Sequence, residues 1–147
     1  MGLDNGLLIK GKTEKGRAFL EKSFSANKDD YYYDTDDKNT PVYEFAYYRK
    51  CFNMRDRMFQ YGLLEDCGDK ILSIKDLETM RNEVLKYFLN EDNWVIGNSF
   101  SNGSIWEWEE MIGVIGENIS DISRLLRYIE SDDITDADLE IWTYDSY

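Results

Sequence analysis

Between Trp108 and Ile129 the large apolar side chains return at alternating intervals of three and four: Trp108, Met111, Ile112, Ile115, Ile119, Ile122, Leu126 and Ile129. Glu109, Glu110, Glu117, Asp121 and Arg124 fall off that stripe. The pattern predicts an amphipathic helix over roughly 105–128, with one face that other elements must cover. Gly113 and Gly116 lie inside it and cost helix stability relative to alanine, which close approach by a neighbouring element would explain.

The rest of the chain supplies what could cover that face. Asp4-Asn5-Gly6 reads as a turn, and Leu7-Leu8-Ile9 as a short buried strand. Residues 12–22 offer only Ala18-Phe19-Leu20 as an apolar patch and declare no element. Residues 25–41, with Asp29-Asp30, three consecutive tyrosines and Asp34-Thr35-Asp36-Asp37, read as a long acidic and aromatic loop suited to touching something. Tyr43 to Tyr61 begins as an alternating run and turns helical from Tyr48, its large side chains falling at Tyr48, Cys51, Phe52, Met58 and Phe59. Arg55 shares that stripe and must find a partner, Asp4 or Glu44 being candidates. Gly62 ends this helix. Ser73 and Asp76 open a second one in capping-box style, with Leu77, Met80, Val84, Leu85 and Phe88 as its apolar face. Trp94–Gly97 reads as a short strand before a polar turn over 98–104, and Leu139–Tyr144 alternates as a last strand able to pair with Leu7–Ile9. The fold expected is a single α+β domain over 1–147: three helices, the last one longest, packed on a small, mostly antiparallel sheet that includes both termini.

A chain of 147 residues with 42% hydrophobic and 15% aromatic content can bury a core without metal or disulfides. Its net charge of −13 is unevenly spread. Residues 1–90 hold 15 basic against 16 acidic groups, whereas residues 91–147 hold only Arg124 and Arg127 against 14 carboxylates. Such a field repels nucleic acid and anionic lipid and favours basic partners. Cys51 and Cys67, 16 residues apart, fit no short metal or redox spacing and read as reduced structural thiols. No window approaches a membrane-spanning helix and no signal peptide is visible, so a cytoplasmic setting is expected. The myristoylation motif wants Ser or Thr where Gly6 stands.

The absence of histidine removes Ser-His-Asp and Cys-His nucleophile systems and His-ligated zinc. Carboxylate pairs are expected by chance among 30 acids, and neither cysteine has a convincing activator, so a small enzyme without histidine is the last of three options. Asp34 starts a calcium-loop-like run, but Asn39 stands where the loop needs glycine and Phe45 where it needs glutamate. No glycine loop for phosphate is present, and neither a metal nor a cofactor is expected.

Two constellations for binding remain. In the acidic last third, Glu110, Glu117 and Asp121 on the helix and Asp132, Asp133, Asp136 and Asp138 beyond it could form one anionic surface for a basic partner. Alternatively, Tyr48, Arg49, Lys50 and Arg57 with Trp106 and Trp108 could line a pocket, cations on phosphate and rings on a base.

The opening Met1-Gly2-Leu3-Asp4, the Tyr48-Arg49-Lys50 element leading a helix, Cys67 before the helix capped at Ser73, the Gly97/Ser99 turn and the ending Tyr144-Asp145-Ser146-Tyr147 resemble a family of small phage and prophage proteins. That family often opens Met-Gly-Leu-Asp-Met and carries Tyr-Trp-Arg-Lys, where this chain has Asn5 and Tyr48. The resemblance implies an infected bacterial host and an anti-defence role, with no activity to carry over. The function expected is non-catalytic: an inhibitor that occupies a host protein's nucleic-acid site through its acidic surface, or a sponge for a nucleotide immune signal in the Arg/Lys–aromatic pocket.

Overall fold

In the computed structural model, which describes residues 4–24, 31–33, 37, 39–94 and 107–146, strand β1 (Asp4–Gly11) occupies the middle of the sheet. Its neighbours are β3 (Pro41–Arg49) on one side and β5 (Leu139–Ser146) on the other, both antiparallel. Short strands β2 (Tyr31–Tyr33) and β4 (Asp69–Leu72) complete the order β2-β3-β1-β5-β4, and every pairing is antiparallel. The strands from the two ends of the described chain therefore pair with each other, as expected for Leu7–Ile9 and the alternating Leu139–Tyr144, with Ile9 opposite Ile141.

Directly opposed residues of antiparallel strands share a face. On β5 the alternation is regular: Leu139, Ile141, Thr143 and Asp145 are buried, while Glu140, Trp142 and Tyr144 are half-buried on the other face. The buried side takes the helices. Phe24 of α1 (Glu14–Phe24) stacks on Tyr43, ring centroids 4.8 Å apart. Arg55 of α2 (Phe52–Gln60) meets Asp145, and Thr143 donates its hydroxyl to the Leu63 carbonyl just beyond that helix. Asn118 of α4 (Trp108–Ser131) accepts the Tyr48 hydroxyl and donates to the Phe45 carbonyl at 3.3 Å.

The expectation of three helices is overturned: there are four α-helices among the described residues. The additional one, α1, has only Gly16, Phe19 and Leu20 on its buried face, too narrow a stripe to announce itself by period. Tertiary contacts hold it instead. Thr13 accepts the Gly16 N–H at 3.0 Å and donates its hydroxyl to Asp138 at 2.8 Å. The Ser73 helix, α3 (Ile74–Thr79), does carry its capping box, with Asp76 N–H on Ser73 Oγ at 3.2 Å and Ser73 N–H on Asp76 Oδ2 at 2.8 Å. It runs on as a π-helix (Met80–Leu85) and a 3-10 turn (Lys86–Leu89), with the expected apolar face buried.

Other boundaries differ too. The tyrosine run is an edge strand rather than loop. The Asp4-Asn5-Gly6 segment is strand, paired on one side with Tyr47 to Arg49 and on the other with Tyr144 to Ser146, and the Tyr144 ring lies across Gly6 at the place where a side chain would stand. The helix expected from Tyr48 starts at Phe52: Lys50, at φ 54°, turns the chain, and Met54 and Met58 are the residues it buries. Trp94 ends a 3-10 turn, and residues 95–106 lie outside the described residues, with Trp106 and the expected 98–104 turn.

Gly113 and Gly116 have no described atom within 4 Å of an added Cβ, so close approach does not explain them. At Gly16 the added Cβ would fall on the Asp138 carbonyl oxygen. Gly113→Ala and Gly116→Ala should each raise stability by about 0.5–1 kcal/mol, whereas Gly16→Ala should lower it by about 1–3 kcal/mol. Urea melts of the three variants read both signs.

Candidate functional site

The acidic residues fall on two separate elements, α4 and the turn after it. Glu110 and Glu117 are exposed on the outer side of α4, and Asp121 is held by Arg124 at 3.2 Å. Three of the four aspartates of the turn after α4 engage their carboxylates within the fold, and Asp133 contributes its backbone carbonyl. Asp132 pairs with Lys22 at 3.7 Å, and the Asp133 carbonyl accepts Lys15 Nζ at 2.8 Å. Asp136 accepts the first free N–H of α3, from Ile74, at 2.7 Å. Asp138 accepts the Thr135 N–H at 3.1 Å as well as the Thr13 hydroxyl. The Thr135 N–H first, then the Thr13 hydroxyl and the Lys15 charge, hold its carboxyl below the usual aspartate range against a small opposing effect of burial.

The Arg/Lys–aromatic residues also part company. Tyr48 is fully buried, and burial drives its hydroxyl pKa far up. Arg49 stands on the outer face of the sheet, 3.9 Å from Asp4, and Lys50 forms the strand–helix turn. Arg57 and Trp108 do converge, through adjacent residues: the Arg57 guanidinium lies 3.6 Å from the Tyr87 ring centroid, and Trp108 Nε1 donates to the Phe88 carbonyl at 3.0 Å.

Around Arg57 there is a built pocket of about 220 Å³, walled by Tyr87 and Phe88 and edged by Asn53, Asp56, Gln60 and Asn93. Three hydrogen bonds fix the guanidinium plane: Nε to the Glu83 carbonyl at 3.0 Å, Nη1 to Gln60 at 3.4 Å and Nη2 to Tyr61 Oη at 3.3 Å. The Tyr61 ring stands 5.0 Å away on its flank. Asn93 is steadied by donating to the Tyr87 carbonyl at 2.8 Å. Tyr87 and Asn93 were not among the expected site residues. Tyr87 sits beside the apolar stripe of its helix, and nothing local in sequence marks a contact with a residue 30 positions earlier.

A second cluster, Asp66, Cys67 and Asp145, brings three ligand-type atoms within 4.8 Å of one another. Its centre is taken by a cation already. Arg55 spans the Asp145 carboxylate with Nε and Nη2, both at 2.8 Å, and Nη2 also reaches Asp66 at 3.2 Å. The partner is Asp145, not Asp4 or Glu44, because the start of α2 faces the end of β5 across the buried side of the sheet. A metal ion would have to displace a bidentate guanidinium from a carboxylate with no side-chain exposure. The cluster is an ion pair closing the fold. Cys51 and Cys67 are both free thiols; burial pushes Cys51 up to about 12, against a small lowering by the Met54 N–H, which leaves it inert as a nucleophile near neutrality.

Compared with known proteins, the chain matches no family model, no curated protein and no solved structure. Among the described residues, no helix is long and apolar enough to cross a membrane.

Removing Arg55 leaves a buried carboxylate without its cation, so Arg55→Met should cost about 3–5 kcal/mol in a denaturant melt. Burial raises the Asp145 pKa, but the Arg55 hydrogen bonds, the Cys67 N–H and the Arg55 charge outweigh it and leave it lowered. A carboxyl depressed in the folded state stabilises the protein above its unfolded pKa, about 3.9, and loses that contribution as pH falls through the folded value. Between pH 5 and pH 2, wild type should therefore lose stability more steeply than Asp145→Asn; parallel curves would show that Asp145 is not a source of the acid sensitivity.

Proposed function

We propose that this protein is a non-catalytic binder of a small ligand carrying a planar, hydrogen-bonding ring, a nucleobase by preference, held in the Arg57 pocket. The observation that carries this reading is the guanidinium carbon seated 3.6 Å from the Tyr87 ring centroid and held there by hydrogen bonds to Glu83, Gln60 and Tyr61, a cation whose orientation is set before a ring arrives. Around it, the Gln60 amide nitrogen and the Asn93 amide oxygen are a donor and an acceptor of the kind that read a base edge, and Asp56 offers a further acceptor. A volume near 220 Å³ admits a base but not a whole nucleotide, so sugar and phosphate lie outside. Arg49 and Lys50, expected to hold phosphate, stand elsewhere. Recognition therefore rests on the ring rather than on charge.

In the phage setting that the sequence resemblance implies, a binder of this kind acts by sequestering a nucleotide immune signal in the cytoplasm of an infected bacterial host. Nucleic-acid mimicry is the weaker reading. Asp136 and Asp138 are bound to backbone and threonine groups, and Asp121 and Asp132 to cations, so the carboxylates of that set not engaged by another described group reduce to Glu110, Glu117 and Asp133.

Calorimetric titration against a panel of nucleosides and mono-, cyclic and dinucleotides tests the proposal. Nucleoside and matching nucleotide should bind within about threefold of each other, and Arg57→Ala should weaken both by about tenfold or more, the worth of a desolvated cation–ring contact. Arg57→Lys, which keeps the charge but loses the planar fork, should not restore binding. No heat across the panel at high micromolar concentrations, or equal affinity in Arg57→Ala, would overturn it.

A further inference from the structure

A second cleft, sharing no residue with the Arg57 pocket, runs between the π-helix and α4 and measures about 440 Å³. That lies within the range of small-molecule sites, roughly 300–1,000 Å³. Its floor is apolar, made by Ile74, Leu126 and Ile129. Two arginines line it, Arg81 from the π-helix and Arg127 from α4, with the Ser123 hydroxyl beside them.

The pairing of these arginines is the informative point. With 30 carboxylates to 17 cations, this chain gives an arginine every chance of an ion pair. Arg49, Arg55 and Arg124 each have one. Among the described residues the other four, Arg17, Arg57, Arg81 and Arg127, have none, and the last two face this one cleft together. Arg81 is held in place by neutral groups, Nε on Asn82 at 3.0 Å and Nη1 on Ser123 at 3.3 Å, which leaves the rest of its donor fork without a partner among the described residues. The Arg127 guanidinium lies 5.5 Å from the Tyr128 ring centroid and makes no hydrogen bond or ion pair among the described residues. The residue that presents Arg81 belongs to a π-helix, a rare geometry that is found disproportionately at functional sites.

We propose that this cleft binds a small organic anion with one oxyanion head and an apolar body, the head bridging Arg81, Ser123 and Arg127 and the body lying on Ile74, Leu126 and Ile129. Glu78 and Glu130 also line the cleft and bring its net charge to zero. They repel a polyanion while tolerating a single head, so the ligand is a carboxylate or a phosphate monoester and not a polyphosphate.

The test is an amide chemical-shift titration of the full chain with octanoate, octyl phosphate, inorganic phosphate and ATP. Octanoate, octyl phosphate or both should give saturable shifts at Arg81, Ser123 and Arg127, and which of the two binds more tightly identifies the head group. Inorganic phosphate and ATP should bind at least about tenfold more weakly, for want of apolar contact and through repulsion respectively. Arg127→Ala should weaken the preferred probe by about tenfold or more, the loss expected for a charge-assisted hydrogen bond, and Glu78→Gln with Glu130→Gln should tighten it and admit ATP. Arg127 is exposed, so its variant reads binding even if Arg81→Ala disturbs the π-helix. No saturable shift with either octyl probe, shifts confined to the Arg57 pocket, or an Arg127→Ala protein that binds as wild type would each overturn the proposal.

Discussion

One carboxylate organises the end of the sheet. Asp145 has no exposed side-chain surface, and a charge there survives because a cation and a backbone N–H give it three hydrogen bonds. Arg55 answers from α2, and the Cys67 N–H answers at 3.0 Å from the turn before β4. The Asp145 backbone N–H then donates to the Gly68 carbonyl, also at 3.0 Å, which starts the β4–β5 ladder. A helix, a turn and an edge strand are thus registered against one residue of β5. Cys67 adopts φ 52°, an unusual conformation for a non-glycine residue, and its N–H is the one that reaches the carboxylate. The local strain and the buried charge support each other.

The turn after α4 repeats the same logic with weaker bonds. Its aspartates reach Thr13 at the start of α1, Ile74 at the start of α3 and Lys22 at the end of α1. Carboxylates crowded along a short stretch repel one another, yet here several are engaged by N–H, hydroxyl or ammonium groups from elements far away in sequence. The concentration of acid in the last third of the chain, which suggests an external partner when read as composition, is in good part an internal clasp. Composition reports how much charge there is and says nothing about what the charge faces.

What the sequence made legible follows from that distinction. The α4 stripe, the Ser73–Asp76 box, the Gly62 stop at φ 68° and the alternation of β5 are local patterns, and the structure carries each of them. α1, β2 and β4 were not legible, because α1 has a short buried stripe and the two strands are short edges whose pairing partners lie in other segments. No propensity foretells the change from α to π at Met80. Arg57 stood out as a cation in an aromatic segment, but its partners Tyr87 and Asn93 did not, since helix packing alone brings them to it. Arg81 and Arg127 were invisible as a pair for the same reason.

The Tyr144 ring that lies over Gly6 makes two positions on neighbouring strands into a single packing unit. A methyl group at residue 6 would stand 2.7 Å from the ring and 2.9 Å from the Ala46 carbonyl, so Gly6 is confined by backbone on one side and by an aromatic side chain on the other. That ring is itself pinned by its hydroxyl on Glu44 at 3.0 Å, which ties the unit to a third strand. Substitutions at 6, 44 and 144 are therefore not independent, and their effects should depart from additivity. Divergent copies of this fold would be expected to change these three positions in concert, a coupled signature by which distant relatives could be told apart from chance resemblance.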